Sequence, residues 1–77
     1  MKKKRVKREE PSLLDVVALL TELPARRLAR GQVGTLVERL DERTWLVEFS
    51  DDQGRAYALA PCPQEDLLVL HYVSETA

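Results

Sequence analysis

Gly31 and Gly34, three positions apart in Arg30-Gly31-Gln32-Val33-Gly34-Thr35-Leu36-Val37-Glu38, open a segment of period two in which Val33, Thr35 and Val37 share one face. After the short polar turn Asp41-Glu42-Arg43 comes a second such segment, Thr44-Trp45-Leu46-Val47-Glu48-Phe49, with Trp45, Val47 and Phe49 in one phase and Leu46 and Glu48, like Glu38, in the other. The pattern predicts a β-hairpin entered through two glycines. Glycine takes positive φ and lets a neighbouring backbone come close, so this spacing suits a strand that starts at the tight corner of a small barrel. The feature constrains the fold and specifies no reaction.

The rest of the chain extends the hairpin into a meander. Ser50-Asp51-Asp52-Gln53-Gly54 reads as a second turn with Gly54 at the left-handed position, and Arg55 to Ala60 as a third strand with Tyr57 and Leu59 on one side. Pro61-Cys62-Pro63 is expected to stop that strand, since proline lacks the amide donor a ladder needs. Gln64-Glu65-Asp66 reads as one short turn, and Leu67 to Tyr72 has the composition and length of a last strand. The inside of the sheet is expected to hold Val33, Val37, Val47, Phe49, Leu59 and Leu70. Pro24 to Arg30, bounded by Pro and Gly, is too short for an independent helix and reads as a loop or single turn. Leu13 to Leu20 is ambiguous on local grounds. Leu13, Val16, Val17 and Leu20 fall at helical spacing behind a Ser12/Asp15 capping box, whereas the valine pair and the approach of Pro24 favour a strand.

Size and charge bound what such a domain can do. A chain of 77 residues is one domain, and chains of this size bury only about 60% of their unfolded surface, which leaves little room for a deep enclosed active site. The single Cys62 cannot form an internal disulfide and fits a reducing, cytoplasmic setting. No stretch approaches the roughly 18 apolar residues that cross a bilayer. Lys2, Lys3, Lys4, Arg5, Lys7 and Arg8 are six of the twelve basic residues, so residues 9–77 carry the other six against thirteen acidic ones, a net −7. A run so charged cannot bury apolar surface, and residues 1–10 are read as a disordered basic tail before an acidic domain at 11–73 and a short tail at 74–77.

The ordered series Asp15-Val16-Val17-Ala18-Leu19-Leu20, Leu23-Pro24, Arg30-Gly31-Gln32-Val33-Gly34-Thr35-Leu36-Val37, Val47-Glu48-Phe49 and the Gly54 turn resembles the bacterial family known as domain of unknown function 4926, over roughly residues 13 to 70. The resemblance implies an all-β, five-stranded SH3-like barrel and makes Leu13 to Leu20 its first strand. It carries no catalytic residues. It also suggests a partner or immunity-like role, since members are often encoded beside other small uncharacterised proteins. A shorter likeness, Gly31 and Gly34 with Leu36 in place of a valine, is to the Gly-x-x-Gly-x-Val hairpin of ribosomal and transcription-factor barrels, where the glycines serve the barrel corner.

Residues able to carry chemistry are sparse. His71 is the only histidine and stands at the end of an apolar strand, so no paired-histidine mechanism or His-rich metal site can be assembled. Cys62 has Glu65 and Asp66 as charged neighbours rather than a base, and reads as a structural or exposed thiol. The acidic turn Glu48 to Asp52 lacks the Asp-x-Asp-x-Asp-Gly spacing of a calcium loop, so neither metal nor cofactor is expected. Trp45 and Tyr57 could anchor a proline-rich peptide if exposed, but Trp45 shares the phase of Val47 and Phe49 and is expected in the core. Arg26, Arg27 and Arg30 put three guanidinium groups within five positions, a candidate patch for phosphate or for an acidic partner surface. Gly31, Gly34 and Gly54 are assigned structural roles. The expectation is therefore a non-enzymatic, cytoplasmic barrel that binds another protein through Arg26, Arg27 and Arg30, as an accessory or immunity/antitoxin-like subunit. The alternative is a nucleic-acid-associated barrel whose Lys2, Lys3, Lys4, Arg5, Lys7 and Arg8 hold phosphates weakly.

Overall fold

In the computed structural model, which describes residues 10–71, five strands form one antiparallel sheet: β1 (Val16–Leu19), β2 (Val33–Asp41), β3 (Thr44–Ser50), β4 (Ala56–Pro63) and β5 (Leu67–Val69). The expected tails at 1–10 and 74–77 and the end of the domain at 73 lie outside the described residues, Glu10 apart. The order across the sheet is β4-β3-β2-β1-β5, so the last strand returns to pair with the first. This is the connectivity of a small SH3-like barrel, left open between β4 and β5, which share no ladder. Short 3-10 turns at Pro24–Arg26 and Gln64–Asp66 occupy the two segments expected to be single turns.

The first apolar segment is a strand. Ser12 and Asp15 do pair as a capping box would, the Ser12 amide donating to Asp15 Oδ2 at 2.9 Å, but the pair closes a turn in which Leu14 has a φ of 74°. Beyond it Val17 and Leu19 point into the core while β2 and β5 take up the backbone on either side. Partners on both edges outweigh the local helical spacing.

The core comprises Val17, Leu19, Leu28, Leu36, Trp45, Val47, Phe49, Ala60, Cys62 and Leu67. β3 supplies the bulk, and its neighbours are cut to fit. Phe49 lies between Gly34 on β2 and Ala58 on β4, Val47 between Leu36 and Ala60, and Trp45 between Arg39 and Cys62. Large residues stand beside small ones, the complementary volumes that a narrow barrel needs. Trp45 is sealed at the end of the core. Its indole Nε1 donates to Gln64 Oε1 at 2.9 Å, and the Arg39 guanidinium lies 5.0 Å from its ring centroid, a cation-π contact. A register shift between Leu36 and Glu38 puts Arg39 opposite Trp45 and allows that contact.

Four expectations are corrected by this packing. Val33, Thr35 and Val37 do share a face, but it is the outer one: Val33 is 45% exposed, and Gly34 and Leu36 are the buried residues of β2. A search for apolar side chains passes over the glycine, whose missing side chain is what makes room for Phe49. Leu59 is likewise outside, 51% exposed, because the small Ala58, Ala60 and Cys62 are the inward set of β4. Leu70 lies one residue beyond β5 and is half-buried, while Leu67 takes the core position. The fourth correction concerns Pro61-Cys62-Pro63, which continues β4 instead of ending it, with Pro61 opposite Leu46 and Pro63 opposite Thr44. β4 is an edge strand, where a missing amide donor that faces away from the sheet breaks no ladder bond.

Candidate protein-interaction surface

The connection from β1 to β2, residues 20–32, is folded back on itself and then tied down onto β4. An isolated bridge joins Leu23 and Leu28, whose amides and carbonyls bond reciprocally; Leu28 is buried in the core and Leu23 packs against it. Arg27 closes the intervening 3-10 turn in the left-handed conformation, φ 59°, its amide bonded to the Pro24 carbonyl. At the far end Gly31, φ 92°, turns the chain into β2, with its amide on the Leu19 carbonyl at 2.7 Å. Space around Gly31 is open, so conformation alone calls for glycine there.

Two side chains carry this loop across to β4. Arg26 Nη1 donates to the Leu59 carbonyl at 3.4 Å, and Gln32 Nε2 donates to the Tyr57 hydroxyl at 2.6 Å. The Gln32 amide oxygen in turn accepts the Ala29 N–H, fixing the side chain from within the loop. The structure thus brings Arg26 together with the outward residues of β4, Tyr57 at 49% exposure and Leu59 at 51%. Arg27 and Arg30 are exposed on the same loop, and among the described residues none of the three arginines makes an ion pair. Lys2, Lys3, Lys4, Arg5, Lys7 and Arg8 lie outside the described residues.

Leu59 is the member of this surface that sequence reasoning put inside, whereas Tyr57 was named as an anchor on condition of exposure. The signal was present in Ala56-Tyr57-Ala58-Leu59-Ala60. Alternation of small and large residues next to a strand bearing Trp45, Val47 and Phe49 leaves space inside only for the small ones. Sequence reasoning also had no means of pairing Arg26 with Leu59, thirty-three positions apart.

The sequence over residues 13–69 matches a family model described as domain of unknown function (DUF4926). The chain belongs to that family. Comparison with curated proteins and with solved structures finds no match.

The residues with latent chemistry occupy other positions. Cys62 is buried, its thiol 3.7 Å from the Ala60 carbonyl, and its pKa is pushed above the ordinary thiol value by burial and by Asp66, with Arg26 opposing. A thiol in that state is a poor nucleophile. His71 is exposed past the end of β5. Among the described residues, His, Cys, Asp and Glu side chains gather in no group of three or more, and no helix is long and apolar enough to cross a membrane.

Proposed function

We propose that this domain is a non-enzymatic, cytoplasmic protein-binding module, an accessory or immunity-like subunit whose partner docks where the Pro24 to Arg30 loop meets the outer face of β4. The observation that carries the reading is the placing of Arg26 over the edge of β4 beside half-exposed Tyr57 and Leu59. Arginine and tyrosine are enriched among the residues that dominate binding energy, and an apolar centre with a charged rim is the usual anatomy of an interface. Arg27 and Arg30 add positive charge to a chain that is net −7 over residues 9–77. That contrast favours an acidic partner surface and fast association.

The test begins with a pull-down from the native host and continues with stopped-flow association at two salt concentrations. Charge reversal of Arg26, Arg27 and Arg30 is expected to slow association, and reversal of Arg27 and Arg30 alone to slow it while leaving the melting temperature nearly unchanged, since Arg26 also holds the Leu59 carbonyl. Tyr57→Ala is expected to speed dissociation. A triple reversal that binds the recovered partner at the wild-type rate removes this surface from consideration. The second reading rests on six positive charges within the first eight residues. It requires nucleic-acid binding that weakens steeply with salt and disappears on deletion of residues 1–8.

A further inference from the structure

The two edges of the sheet are finished differently. On β4, Pro61 and Pro63 remove two outward donors, and the Leu59 carbonyl is occupied by Arg26. On β5 no such device is present. Leu70 donates to the Val16 carbonyl at 2.9 Å and Leu20 to the Asp66 carbonyl at 2.8 Å, which puts the even-numbered residues of this strand in the hydrogen-bonded phase with β1. Leu67, Val69 and His71 therefore direct their backbone groups away from the sheet. The Leu67 amide is used by the Gln64 carbonyl, while the Val69 amide and carbonyl meet no other strand among the described residues. Leu67-Leu68-Val69-Leu70 contains neither charge nor proline, the residues with which edge strands normally avoid pairing.

We propose that the β5 edge pairs with the β5 edge of a second copy of this chain, antiparallel and about a two-fold axis at Val69. In that register the two Val69 residues exchange both of their hydrogen bonds, and each His71 amide meets the Leu67 carbonyl of the other copy. On the outer face Leu68, 49% exposed, comes opposite the other copy's Leu70. Leu68 continues across the sheet into Ala18 and Val33 in the same row, so the joint extends an apolar stripe that already spans three strands. No like charges face one another. The segment is its own complement, and this selects a second copy over an unrelated strand. Pro61, Pro63 and the Arg26 bond hinder pairing at β4, and the two-fold joint uses both β5 edges, so assembly stops at the dimer. The edge is short and buries less than the roughly 1,200 Å² of a standard stable interface, so the dimer forms in the range of about 10 µM to 1 mM.

Sedimentation equilibrium of the full chain across that range is expected to show the mass rising from 8.8 kDa toward twice that value. Hydrogen exchange at the Val69 amide is expected to slow as concentration rises. Leu68→Lys should weaken association by about tenfold or more, as a lysine on an edge strand does. Val69→Pro should abolish it, and a wild-type melting curve for Leu68→Lys separates lost pairing from lost fold. A mass that stays at 8.8 kDa throughout overturns the proposal. So does a dimer in which Val69 exchange is independent of concentration, or one that Leu68→Lys leaves intact.

Discussion

Gly34 and Gly31 differ in what each asks of glycine, although they stand three positions apart. A Cβ on Gly34 would lie 2.6 Å from Val47 Cγ1 and 2.9 Å from the Glu48 carbonyl oxygen, closer than carbon can approach, and backbone on that side cannot give way. Gly34→Val is expected to destabilise the fold by about 1 to 3 kcal/mol, measured by urea unfolding, through overpacking against β3. A variant that melts with the wild type while losing a binding activity would show instead that the residue acts in recognition. Cys62 gives a second prediction at this scale. Native protein should react slowly with a thiol reagent and quickly once unfolded, because the thiol is buried against Trp45 and Ala60. Its folded pKa is raised, so its neutral form contributes stability that is present below the ordinary value of 9.0 and lost as pH rises above it. Cys62→Ala should therefore flatten the alkaline limb of a stability profile. An alkaline limb unchanged in that variant would show that Cys62 has no part in it.

At the scale of the element, the β3–β4 hairpin depends on one carboxylate. Asp51 Oδ1 accepts from the Arg55 and Gln53 amides, both at 2.9 Å, and its other oxygen lies 3.4 Å from Arg55 Nε. The Arg55 and then the Gln53 amide bonds hold its pKa below 3.8. Asp41 does the same for the β2–β3 turn, where the Arg43 amide donates at 2.8 Å and, with Thr44, lowers its pKa. For such groups the added stability is present above the unfolded pKa and lost as pH falls through the lowered folded value. Asp51→Ala is expected to lower the melting temperature at neutral pH by a few degrees and to make the profile less steep below pH 3.8. If wild type and variant melt in parallel down to pH 2, the turn does not depend on this carboxylate. The turns themselves were legible in the sequence, since Asp51 and Gly54 are turn residues with a mechanism. The extent of β4 was not. Proline stops a strand only where its nitrogen faces a neighbour, and whether it does is decided by position in the sheet.

At the scale of the whole molecule, the unlike finish of the two edges governs how copies meet. Replacing Pro61 and Pro63 by threonine restores two outward donors on β4 and is expected to yield species larger than a dimer at high concentration, read by light scattering. Scattering no greater than wild type would mean that Arg26 alone closes this edge. Strands β2 and β3, the turns that follow them and the inward phase of Trp45, Val47 and Phe49 were determined by the sequence alone, because alternation and turn chemistry are local properties of the chain. The tertiary structure decided which phase of β2 and β4 faces inward. Both phases of each strand were apolar enough to be buried, and volume beside β3 made the choice, seating Gly34, Ala58, Ala60 and Cys62 inside and turning Val33, Tyr57 and Leu59 out. It likewise joined Arg26 to Leu59 and Gln32 to Tyr57, contacts that exist only once the β1–β2 loop has folded back onto β4. Local alternation can state that a strand has two faces, and only the bulk of the neighbouring strand settles which of them is the inside.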